Sequence, residues 1–138
     1  MITGHTHVAS AGVLAAELLA EACGTGNGLQ AETVRDLAED LGSGLSSLPN
    51  IGTADSLVEA ALACADLATL AACNNAGLGG PSAVAAAHLA AGATRALAAL
   101  AEAEIGAAGD AYAENASGDL RSAVWKADLA VRQLGEAG

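Results

Sequence analysis

Apolar positions along this chain recur at spacings of three and four rather than two. Residues 60–73, AALACADLATLAAC, are apolar except at Asp66 and Thr69. At roughly 100° per residue, Leu57, Ala60, Cys64, Leu67 and Ala71 fall on one side of a helix. Asp55, Glu59, Leu62, Asp66, Leu70 and Cys73 gather on the opposite side. Leu89, Ala93, Leu97 and Leu100 form a second apolar face, and Leu120, Val124, Ala127, Val131 and Leu134 a third. Val34, Leu37, Leu41, Leu45 and Leu48 make a near-heptad seam that Gly42 and Gly44 weaken, since glycine is a poor helix former. Near the N-terminus, His7, Ser10, Leu14, Glu17 and Glu21 share one side. No segment alternates as a half-buried strand would.

Clusters of Gly, Pro and Asn at 24–28, 47–53, 74–82 and 114–119 punctuate these periodic stretches. The pattern predicts five helices, over about 7–23, 31–48, 54–74, 81–105 and 119–134. Ser56 and Glu59 have the spacing of a capping box, with Thr53 a competing cap. Pro81 suits a first helical turn. Asp119 near the start of the last helix and Arg132 near its end both complement the helix dipole. Gly106 and Gly109 either end the fourth helix or bend it. Short connections join antiparallel neighbours. The expected architecture is therefore all-α, an antiparallel, Ala-rich bundle of about five helices forming one domain over residues 1–138.

Composition sharpens this picture. Hydrophobic residues make up 53% of the chain but aromatics only 1%, namely Trp125 and Tyr112. Much of the apolar content is alanine, which favours helices and lets them approach closely. The formal charge is −11, from 16 acids and 5 bases. With neither a basic patch nor a stacking platform, the chain is not expected to bind nucleic acid. Anionic membranes are disfavoured on the same electrostatic ground. No uncharged apolar run reaches membrane-spanning length, and the apolar stretch 13–23 lacks the basic flank of a signal peptide. Cys23, Cys64 and Cys73 form no CxxC and no zinc spacing. A reducing, cytoplasmic setting is the expectation.

Candidate chemistry is sparse. The carboxylate of Asp66 lies in line with Glu59 and between Leu62 and Leu70, so the second face of that helix is half acidic and half apolar. It is either a solvated face or one covered by another surface, an oligomer interface or a cleft. His88, Arg95 and Glu102 form a seven-spaced stripe on the following helix. If that stripe met Glu59 and Asp66, the cluster could bind an anionic ligand or support acid–base work. Trp125, beside Leu129 and near Arg121 and Arg132, points away from the core face, as an interface anchor would. His5 and His7 are two apart and do not share a helix face, and no Glu-x-x-His pair is present, so no metal is expected. No nucleophile elbow, Walker A or dinucleotide fingerprint occurs, and GTGNG at 24–28 follows a helix rather than a strand; no cofactor is expected.

Residues 67–105, LATLAACNNAGLGGPSAVAAAHLAAGATRALAALAEAEI, resemble part of the helical cyclodeaminase/methenyl-tetrahydrofolate cyclohydrolase family. In that family an Ala-rich helix breaks at Gly-Asn, continues through a Ser-Asp turn and resumes with Val-Ala-Ala. Asn74-Asn75 stand where Gly-Asn would be, and Ala83-Val84-Ala85-Ala86 resume the helix, but Gly80-Pro81 replace Ser-Asp and the acid is missing. The family's Pro-Gly-Gly-Gly opening is also absent. The resemblance implies a helical dimer and a folate-type ligand. Two functions follow as expectations: an oligomeric, non-enzymatic binding or assembly protein, or a cyclodeaminase-like enzyme or anionic small-ligand binder using His88, Arg95, Glu59 and Asp66. The first is the main expectation, with Trp125, Leu129, Leu62 and Leu70 as interface residues.

Overall fold

A computed structural model describes the backbone of residues 5–24, 29–47, 54–78, 81–108 and 113–137, and the side chains of 11–21, 32–45, 56–73, 81–103 and 118–134. All the described backbone is helical: α1 (His5–Gly24), α2 (Leu29–Ser47), α3 (Ala54–Leu78), α4 (Pro81–Ala108) and α5 (Ala113–Ala137). The all-α bundle expected from the periodicity is what forms.

The contacts define the arrangement. Helices α1 to α4 make a four-membered ring of neighbours, α1 on α2, α2 on α3, α3 on α4 and α4 on α1, with α3 against α4 the most extensive pair. Helix α5 lies over α3 and α4 and, among the described residues, contacts neither α1 nor α2. Gly12 of α1 faces Leu45 of α2, and Ala16 faces Gly42, so α1 and α2 run antiparallel. Asp66 meets Lys126 and Cys73 meets Gln133, so α3 and α5 advance together and are parallel. Helix α5 thus returns alongside the helix two before it.

One core joins all five helices, and it is built mainly of alanine with fully buried Leu19, Leu57, Leu67, Leu97 and Leu120. Small side chains bring the axes together. A Cβ placed on Gly42 would stand 2.9 Å from Ala16 Cβ, and one on Gly12 would stand 2.7 Å from Cys64 Sγ. These two glycines are contact surface between helices rather than helix breaks. The buried Thr94 hydroxyl donates to the Ala90 carbonyl at 2.8 Å, which satisfies it within its own helix.

Three details differ from the sequence reading. Leu37, placed in the buried seam of α2, is 47% exposed, and Ala38 is fully buried in its stead. The stripe facing the bundle is Val34, Ala38, Leu41 and Leu45; the close approach at Gly42 selects a small residue at 38 over a leucine at 37. Ser56 lies two residues inside α3 and is buried, so it does not cap that helix; Thr53 lies outside the described residues. The segments 74–78 and 114–118, read as breaks, are helical. Neither contains proline, and an isolated glycine such as Gly118 costs only about 1 kcal/mol relative to alanine.

Helices α3 and α4 also contain stretches, Ser56–Cys73 and Pro81–Ala103, that are long and apolar enough to cross a membrane by length and composition. The first contains Glu59 and Asp66, the second Arg95 and Glu102, which is why a search for uncharged runs passes over them. About half of each stretch is buried inside the bundle, as for core helices.

Candidate functional site

One member of each charged stripe, Asp66 on α3 and Arg95 on α4, reaches α5. Asp66 accepts from Lys126 Nζ at 3.5 Å, and Arg95 ion-pairs with Asp128. Lys126 and Asp128 are two residues apart and so leave α5 in nearly opposite directions, one to each neighbour. The partners of Asp66 and Arg95 are therefore on α5, not on each other's helix. Both pairs are exposed, and such pairs contribute little to stability. Glu59, His88 and Glu102 are exposed, and among the described residues no ion pair reaches them.

Part of the mixed face of α3 thus packs within the chain. Leu62 and Leu70, expected as interface residues, are half-buried and pack against the protein's own core. The thiol of Cys73 donates to Gln133 Oε1 at 3.6 Å, further along the same α3–α5 seam. The carboxylate of Asp66 stays half in water, and the leucines beside it are half-buried.

Trp125 and Leu129 stand differently. Leu120, Ala123, Ala127 and Ala130 turn the buried side of α5 towards α3 and α4. That leaves Ser122, Trp125, Leu129 and Arg132 along the outer side, with Arg121 adjacent. Trp125, the chain's only tryptophan, is 64% exposed, and Leu129 one turn later is 38% exposed. The outer side of α5 is an apolar pair flanked by two arginines, on a molecule of net charge −11.

A groove of about 370 Å³ runs between α1 and α2 on the far flank. Val13, Ala16, Ala20 and Gly42 supply its apolar walls, and the exposed Glu17 and Glu39 stand at its edges. The sequence reading missed it. Its signal was the same Gly42 that weakened the α2 seam, because a glycine and alanines facing one another leave a furrow beside the contact.

Among the described residues no group of His, Cys, Asp and Glu could hold a metal ion. The side chains of His5, His7 and Cys23 lie outside the described residues. Cys64 and Cys73 are free, and burial pushes the Cys64 thiol up to about 12, which makes it inert. No known protein family matches the chain, and neither does any curated protein or solved structure. The cyclodeaminase resemblance rests on the residues quoted for it alone.

Proposed function

We propose that this protein is a non-enzymatic assembly module of the cytoplasm that associates with copies of itself through the outer face of α5. The exposure of Trp125 beside Leu129 carries this reading. A tryptophan left largely in water, when the chain has almost no other aromatic, is the residue most enriched among binding anchors. The flanking Arg121 and Arg132 supply a rim. Among the described residues the two cysteines, Cys64 buried and Cys73 exposed, are free, which accords with a reducing compartment.

The competing reading, an anionic-ligand binder or cyclodeaminase-like enzyme, needs His88 and Arg95 to act together with Glu59 and Asp66. Arg95 and Asp66 instead have their partners on α5, and this favours the assembly reading.

The test is molar mass by light scattering over a concentration series, for the native chain and for Trp125→Ala. Truncating an anchor of this kind costs about 2 kcal/mol or more, roughly a thirty-fold loss of affinity. The native chain should exceed its 13.2 kDa monomer mass at concentrations where Trp125→Ala does not. A native chain that remains monomeric throughout would overturn the proposal.

A further inference from the structure

The α1/α2 groove and the α5 face complement each other, and we infer that the groove receives Trp125 of a second copy of this chain, giving head-to-tail association. The inference rests on the assembly reading above and names its partner surface. Three observations carry it. The groove, about 370 Å³ with apolar walls, is within the range of roughly 300–1,000 Å³ that accommodates ring-containing groups. Its edges carry Glu17 and Glu39, opposite in sign to the Arg121 and Arg132 that flank Trp125 and Leu129. Leu14, 53% exposed and three residues before Glu17, extends the apolar surface on that side of α1.

Among the described residues helix α5 contacts neither α1 nor α2, so the projecting face and the groove lie on different flanks of one molecule. A copy that inserts its α5 into a neighbour's groove leaves its own groove open for the next. Repeated in this way the contact is heterologous and builds a ring or a chain, whereas two copies that insert into each other at once would close as a two-fold dimer. For so acidic a chain, a self-contact needs its cations in one place. Three of the five basic residues, Arg121, Lys126 and Arg132, are on α5, and Arg121 and Arg132 are exposed.

The experiment uses an anchor variant, groove variants and a mixture of the anchor variant with native chain. Trp125→Ala removes the projecting anchor and keeps the groove. Glu17→Lys with Glu39→Lys reverses the groove edges and keeps the anchor, and Ser43→Arg in the groove wall is a second groove variant should the first lose helicity by circular dichroism. In light scattering the native chain should form species larger than a dimer, and each variant alone should be monomeric. A mixture of Trp125→Ala with native chain should shift to shorter assemblies, because the variant accepts a neighbour but cannot enter one. A groove variant that associates as the native chain does would overturn the groove assignment while leaving the α5 proposal standing. A native chain that never leaves 13.2 kDa would overturn both.

Discussion

Gly42 offers a test of how this bundle is packed. Replacing it with alanine adds one methyl group inside α2. On intrinsic propensity alone the change should stabilise the helix by about 1 kcal/mol. The new Cβ would, however, stand 2.9 Å from Ala16 Cβ. Ala16 has no rotamer to move, so α1 and α2 must separate, and overpacking of this kind costs about 1–3 kcal/mol. The net expectation is a loss of up to about 2 kcal/mol. Gly44 is the control. It is exposed, and a Cβ there would meet nothing within 4 Å, so Gly44→Ala should gain up to about 1 kcal/mol. The same chemical change, two residues apart on one helix, should have opposite signs. Urea unfolding followed by circular dichroism reads both midpoints. Combining Gly42→Ala with Ala16→Gly should restore part of the loss, since the double change returns the space between the helices. If Gly42→Ala stabilises as Gly44→Ala does, the close approach of α1 and α2 is wrong.

Other outcomes follow from the same packing. Leu97→Ala should lose about 2–5 kcal/mol and fall towards the upper end, because the alanines around it cannot swing into the void; Leu97 is fully buried, and a loss under 1 kcal/mol in urea unfolding would contradict that. Double-mutant cycles on Asp66–Lys126 and Arg95–Asp128 should give couplings under about 1 kcal/mol that shrink in salt; a salt-independent coupling of about 2 kcal/mol would place them in a drier setting than they occupy here. The Cys64 thiol ionises only at about 12 in the folded protein, against 9.0 ordinarily. The unfolded chain then loses its proton first, so the contribution of Cys64 to stability is complete below pH 9 and declines as pH rises towards 12. Native protein should therefore lose stability faster than Cys64→Ala over that window, by at most about 1.4 kcal/mol per pH unit; equal slopes would refute the burial.

How much of this was legible in the sequence depends on what each residue has to signal. The buried face of α3 was readable residue by residue: Leu57, Ala60, Cys64, Leu67 and Ala71 are all at most 1% exposed. Pro81 opens α4 as its fixed backbone angle suggested. The α2 seam was less legible because leucine and alanine are both apolar, and only the neighbouring helix decides which of Leu37 and Ala38 turns inward. The reach of α5 back to Ala113 was hidden by Asn115, Ser117 and Gly118, turn formers that a long packed helix tolerates.

The candidate site divided in the same way. The outward position of Trp125 and Leu129 followed from phase within α5 alone. What covers the mixed face of α3 did not, since it depends on where α5 lies, and a single helix's periodicity holds no information about its neighbours. The groove was hidden for a similar reason: it is made by residues that are absent in bulk, Gly42 against Ala16, rather than by residues that announce themselves.

Because Trp125 is the only tryptophan, its fluorescence reports the proposed contact directly. An emission spectrum with iodide quenching, recorded across a dilution series of the native chain, tests the account most closely. The account predicts a blue-shifted, quencher-protected indole at high concentration that becomes red-shifted and quenchable on dilution, as its 64% exposure in the single chain requires. An indole equally exposed at every concentration would contradict assembly through α5.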